Sequence, residues 1–348
     1  MGPGAVTLRE IHSQPEVWRA CLATLDAVSP GPLIKDPRVC EWVFIGCGTS
    51  FYLAQAAAAS FTSLLGVSAR ALPASEYLLF PGLAVPAEAA AVFPVLISRS
   101  GHTSEVLRVA EALNQRGIEF LAVTCDGNEL ARLTARTLTL PVTEESTVMT
   151  SSFTSMLIAL QCIAARLAGN SEFIDALHAL PAELERLLPV CAPRVERFAR
   201  HPFSDAAFLG QGPFYPVAAE TSLKVMESSS SYAQFFHTLE FRHGPKSMVS
   251  EDVLVGALVS ESGCREEGAV LAEMKELGAR TLAIANSMSP ELRDSADLAI
   301  ELSLPVPELA RLVIYLVWGQ LLGSYAGVRK GLNPDSPRNL TRVVTLAG

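Results

Sequence analysis

The sequence predicts an α/β protein made of two tandem units, each a mostly parallel sheet flanked by helices. Three observations carry that expectation. Short apolar runs alternate with helical patterns long enough for crossover connections between parallel strands. The order of these blocks in the first half recurs in the second. Each half also carries a Ser-x-Ser-Gly turn where an apolar run hands over to a helix.

Taken in order, residues 7–28 read as a leading amphipathic helix. Trp42–Gly46 is a short strand, and the Ala-rich stretch Leu53–Leu65 is a helix. A strand at 93–97, a helix at 104–115 and a strand at Phe120–Val123 follow, and Leu138–Pro141 closes the half. In the second half, Ala206–Gly210 matches the strand ending at Gly46. Leu258–Gly263 matches Ile97–Gly101, Thr281–Ile284 matches Phe120–Val123, and Leu302–Val306 matches Leu138–Val142. Gly46 and Ser98 are 52 residues apart, and Gly210 and Ser260 are 50 apart. The expected organisation is an N-terminal helix over 1–30, a first domain over 31–188, a second over 189–330 and a tail over 331–348 that closes the site. The join falls near Leu180–Pro202, where Pro181, Pro189 and Pro193 bracket a still helical stretch.

Composition narrows the function. At 348 residues, with 49% hydrophobic and 18% charged residues, the chain can build two packed cores. The net charge is −9 and no Lys/Arg-rich run occurs, so nucleic acid is not an expected partner. Seven cysteines, no two within five residues of each other, show neither zinc spacing nor a disulfide framework. They read as reduced thiols in a cytoplasmic protein. Arg9, Glu10 and His12 stand where a secretory signal would be apolar. Leu309–Val328 contains Arg311, Gln320 and Ser324, and reads as a buried packing helix instead of a membrane span.

Three hydroxyl-rich junctions in the first half point to an anionic ligand. They are Gly46-Cys47-Gly48-Thr49-Ser50, the turn Ser98-Arg99-Ser100-Gly101-His102-Thr103, and the cluster Thr147–Ser155, which includes Thr150 and Ser151. Free backbone N–H groups at a helix start attract a phosphate. Any one of these alone reads as helix capping; the three together point to a phosphate. None has the lysine of a nucleotide P-loop or a full GxGxxG, so a phosphorylated small molecule is expected instead of a nucleotide. In the second copy Glu261, Glu266 and Glu267 crowd the turn, so only the first half is expected to bind the anion. Acid–base groups lie in the second half. Glu220, Lys224 and Glu227 share one helix face, and His243 precedes Gly244-Pro245. From composition alone they read as a solvated salt-bridged face and a polar surface histidine.

The motifs resemble the sugar isomerase (SIS) domain family, over roughly residues 8–348. The similarity is to the isomerase half of glutamine–fructose-6-phosphate aminotransferase and to the tagatose-6-phosphate ketose/aldose isomerase group of amino-sugar deaminases. Glu220–Glu227 resembles the family's Glu-x-x-Leu-Lys-x-x-Glu helix. Phe241–Ser247 is similar to the deaminase group's Phe-Arg-His-Gly-Pro-Lys-Ser, and Ser336–Arg342 to the aminotransferase tail. The resemblance implies a flavodoxin-like three-layer sandwich in each half and no cofactor or metal. It implies that Gly48, Thr49, Ser50, Ser98, Arg99, Ser100, Thr103, Thr150 and Ser151 bind a sugar 6-phosphate, Thr49 and Arg99 through their backbone. It makes Glu227 the base moving a proton between C1 and C2, and Lys224 a contact to substrate oxygens. His243 opens the sugar ring, acting across the interface of a homodimer. The family's tail lysine is Arg342 here, which stays protonated and cannot form an imine. The implied activity is isomerisation of a hexose or hexosamine 6-phosphate with release of ammonia. A fructosamine-6-phosphate deglycase or a non-catalytic sugar-phosphate sensor is the alternative.

Overall fold

A computed structural model describes residues 2–28, 31, 33, 34, 41–85, 92–127 and 129–344. Contacts divide the chain into two units that are not contiguous in sequence. A first-sheet unit holds residues 16–144, 151–178 and 341–348, and a second-sheet unit holds 1–15, 145–150 and 179–340.

In the first-sheet unit, β1 (Glu41–Gly46), β2 (Ser68–Pro73), β3 (Val92–Ile97), β4 (Leu121–Thr124) and β5 (Thr137–Thr139) form one sheet in the order β2-β1-β3-β4-β5. Every pairing is parallel, with Ile45 beside Leu96, Leu96 beside Ala122 and Ala122 beside Thr137. All of β4 and all but the first residues of β1 and β3 are buried, which is why these strands read as unbroken apolar runs. Pro94 is tolerated because β3 begins pairing with β4 only at Val95. One core of this unit packs Val43, Ile45 and Leu96 against Val106, Val109 and Leu113 of the helix Ser104–Gln115.

The second-sheet unit repeats the plan. β6 (Asp205–Gly210), β7 (Tyr232–Phe236), β8 (Val253–Leu258), β9 (Arg280–Ala285) and β10 (Leu298–Glu301) pair in parallel in the order β7-β6-β8-β9-β10. The predicted duplication is thus real at the level of topology. In each sheet the strand order reverses beside the first strand, and ligands of such sheets bind beyond the carboxyl ends at that switch. The turns after β1 and β3, and their counterparts after β6 and β8, lie there.

Several elements differ from the sequence reading. The leading helix is two helices, Ala5–His12 and Gln14–Asp26, separated at Ser13. The proline-rich join is one helix, Ser171–Ala199, containing all three prolines. Each proline forfeits a backbone hydrogen bond, but Leu177, Leu180, Leu184, Leu188 and Val195 form a buried stripe that outweighs the loss. Leu302–Val306 is not a strand; β10 ends at Glu301, and Ser303 turns away with φ +51°. The outer strands β2 and β7 were not anticipated. They lie at sheet edges and are largely half-exposed, so they carry no long apolar run.

The apolar helix Leu312–Arg329 packs along the helix Phe214–Ser229 within the second-sheet unit. Three glycines at four-residue spacing make this possible. A Cβ would lie 2.5 Å from Thr221 Cγ2 at Gly319, 2.7 Å from the Lys224 carbonyl at Gly323 and 2.0 Å from the Ser228 carbonyl at Gly327. Among the described residues, two helical segments, Ser151–Ala168 and Glu308–Arg329, have membrane-like length and hydropathy, and their apolar windows are 83% and 89% buried.

Candidate active site

The first-sheet unit gathers the anion-binding candidates. Gly46 ends β1, and a Cβ there would lie 2.5 Å from the Ser50 carbonyl, so only glycine lets the helix Thr49–Leu65 start this close to the strand. Gly48 takes φ +54° ahead of the buried Thr49 and Ser50. After β3, the turn is braced by its own hydroxyls. Gly101 N–H donates to Ser98 Oγ (3.2 Å), Ser98 Oγ lies 3.2 Å from Thr103 Oγ1, and His102 N–H donates to Ser100 Oγ (3.2 Å).

The Arg99 guanidinium is held by groups beyond the turn. It is 8% exposed, pairs with Glu144 at 3.1 Å and donates to the Arg342 carbonyl at 3.3 Å. Glu144, fully buried, also accepts from Ser151 Oγ (3.0 Å), Ser152 N–H (2.9 Å) and Ser152 Oγ (2.7 Å). A carboxylate therefore occupies the start of the helix Ser151–Leu167, and the Ser151 hydroxyl serves it. Thr150 belongs to the second-sheet unit, where its carbonyl accepts from Gln320 Nε2 at 3.1 Å. Glu144 is the residue that sequence reasoning missed; in a Thr-Glu-Glu-Ser run, nothing separates a buried carboxylate from a solvated one. Arg99, Ser100, His102, Asp126, Glu144 and Arg342 contribute to the wall of a 530 Å³ cavity.

The second-sheet unit contains the altered copy of the turn. Gly263 N–H donates to Ser260 Oγ at 3.0 Å, as Gly101 does to Ser98. Here Glu267, 1% exposed, accepts from Ser260 N–H (2.7 Å) and Ser260 Oγ (2.8 Å). Burial pushes its carboxyl above the usual carboxylate range, and the Ser260 hydrogen bonds pull it partway back. In the first copy the Ser98 amide donates instead to the Val123 carbonyl (3.1 Å). Glu267→Ala leaves the Ser260 amide and hydroxyl without that acceptor, and is expected to cost about 1–3 kcal/mol in urea unfolding. Glu267→Gln keeps an accepting oxygen and should cost less. Equal losses would show that charge, not hydrogen bonding, holds this turn.

The acid–base groups also lie in this unit. Lys224 is 1% exposed and sits between Glu220 (3.2 Å) and Glu227 (2.5 Å). This is not the solvated face that composition allows, because the glycines of Leu312–Arg329 bring that helix onto the Lys224 backbone. Burial alone would lower the ammonium's pKa, but Glu220 and Glu227 outweigh it and hold it above the ordinary lysine value. Glu220 is fully buried, whereas Glu227 keeps 18% exposure. Of the three, Glu227 is the group that both meets solvent and touches the buried cation. His243 lies between the short turns Glu240–Arg242 and Pro245–Met248 and is exposed.

Two parallel sheets of one topology, hydroxyl turns at the switch point and a buried carboxylate–lysine–carboxylate helix define an α/β protein with a candidate anion site in one unit and a candidate acid–base cluster in the other. The chain belongs to the SIS domain family, whose profile matches residues 41–166 and 204–317. Among its relatives is the glutamine–fructose-6-phosphate aminotransferase of Methanothermobacter thermautotrophicus, 30% identical over 97% of this chain and 57% of that protein. The chain spans just over half the length of the curated aminotransferases it matches. Of solved structures, a glucosamine-6-phosphate deaminase from Thermotoga maritima is 26% identical, with TM-score 0.82 over 98% of this chain and 100% of that one. The tagatose-6-phosphate ketose/aldose isomerase of Escherichia coli shares the fold at 23% identity, with TM-score 0.83 over 95% of both chains.

Proposed function

We propose that the protein is a phosphosugar aldose–ketose isomerase that releases ammonia from a 2-amino-2-deoxyhexose 6-phosphate. The observation that carries this reading is the Glu220–Lys224–Glu227 cluster, in which one partly exposed carboxylate is backed by a buried ammonium. The 26%-identical deaminase supports the substrate class.

The reading assigns the phosphate to the turns at Gly48–Ser50 and Ser98–Thr103. Binding energy at that remote end orients C1 and C2. His243 exchanges the protons that open the ring to the aldehyde. Glu227 takes the proton from C2 while O1 takes one from solvent, giving a C1–C2 enolamine, and Glu227 returns its proton to C1, which becomes an alcohol carbon. C2 is then an iminium. Water adds to it, ammonia departs with the C2–N bond, and a ketose 6-phosphate remains. Lys224 holds positive charge beside Glu227 and stabilises oxyanion character during the transfer. Arg342 supplies charge without an imine. The reading includes a cytoplasmic homodimer in which His243 acts across the subunit interface, consistent with its exposure; sedimentation of a fully active monomer would exclude that arrangement.

Ammonia release from glucosamine 6-phosphate and galactosamine 6-phosphate, with Glu227→Gln beside wild type, tests the proposal. The variant should lose about 10²–10⁴-fold in kcat while either sugar phosphate still raises its melting temperature. Equal rates would remove Glu227 as the base. Thermal protection of wild type without turnover would point to a sensor. Turnover of a fructosamine 6-phosphate alone would point to a deglycase.

A further inference from the structure

The turn that carries His243 is short and made of two 3-10 segments joined at Gly244, whose φ of +118° only glycine adopts readily. Phe241, fully buried against Phe236 with ring centroids 5.2 Å apart, anchors its first segment. The two residues that bracket His243-Gly244-Pro245 are cations, and both reach one carboxylate. Arg242 Nε lies 2.7 Å from Glu273 Oε2, and Lys246 Nζ lies 2.8 Å from Glu273 Oε1. Glu273 stands on the helix Cys264–Glu276, which Val270, Leu271 and Met274 fix into the core of the second-sheet unit.

We infer that Glu273 is a positioning residue for His243, clamping both ends of the histidine's turn to a rigid helix. The inference rests on the reading of His243 as the ring-opening group. The Lys246 and Arg242 hydrogen bonds hold the Glu273 carboxyl below the usual carboxylate range, so the clamp is charged throughout the neutral range. Each arm is a partly exposed ion pair of a kind that adds little stability alone. The expected consequence is therefore geometric, since a proton-transfer group misplaced by about 1 Å loses much of its rate.

The test uses Glu273→Gln, the double variant Arg242→Gln/Lys246→Gln, the triple variant and His243→Asn in the full chain. The substrate is whichever hexosamine 6-phosphate wild type turns over. Glu273→Gln should lower kcat about tenfold with KM within about twofold and the melting temperature within about 2 °C. The triple variant should be no worse than the double, because Glu273 acts through those two cations. Independently of activity, the amides of His243, Ser247 and Val249, which donate to Glu240, Gly244 and Lys246 carbonyls, should exchange faster in Glu273→Gln. Unchanged exchange at these amides overturns the inference, and so does an unchanged kcat beside a disabled His243→Asn. A fully active His243→Asn overturns the assigned role of His243, and the positioning role with it.

Discussion

Gly327→Ala is expected to destabilise the protein by about 1–3 kcal/mol, with Gly323→Ala close behind. In an exposed helix the same change gains about 0.8–1 kcal/mol, because alanine is the better helix former. Here the new methyl would meet the Ser228 carbonyl at 2.0 Å or the Lys224 carbonyl at 2.7 Å. Both obstacles are backbone atoms of a packed helix and cannot rotate aside. Gly82→Ala is the control: it lies in the short helix Pro81–Ala84, and nothing stands within 4 Å of its would-be Cβ. Urea unfolding of the three variants decides the matter. A Gly327→Ala protein as stable as Gly82→Ala would mean that the two helices are not held at this separation in solution.

Lys224→Met should cost about 3–5 kcal/mol, because it removes the buried cation from between the Glu220 and Glu227 carboxylates. Glu220→Gln in the same chain should restore most of that stability. The wild-type pH dependence follows the lysine. Lys224 has a folded pKa above its ordinary 10.5, so its contribution is complete below that value and fades only as pH rises through the raised one. Thermal unfolding of wild type should therefore show no Lys224-linked loss between pH 6 and pH 9. A Lys224→Met protein as stable as wild type at pH 8 would place the lysine outside the core.

How much of this was legible varies by element, for physical reasons. β1, β3, β4, β6, β8 and β9 could be read because central parallel strands are apolar throughout, and the repeat could be read because both copies keep the same turn. β2 and β7 could not, since an edge strand with one buried residue in its length leaves no pattern. Ser171–Ala199 defeats the rule that proline ends a helix, because a long apolar stripe is worth more than three missing hydrogen bonds. At the site, the spacing of Glu220, Lys224 and Glu227 placed them on one face, but their burial is imposed by a helix almost 100 residues further on. The sequence of Glu144 resembles surface; only the fold turns it inward onto Arg99, Ser151 and Ser152.

The carboxylate on Ser260 has a consequence for how the two turns parted company. A group tethered seven residues away is present at an effective concentration that no dissolved anion can match, and it never diffuses off. The second turn is in that sense permanently loaded from within the chain. A turn built this way needs no outside anion to stay folded, because its acceptor is written into the chain.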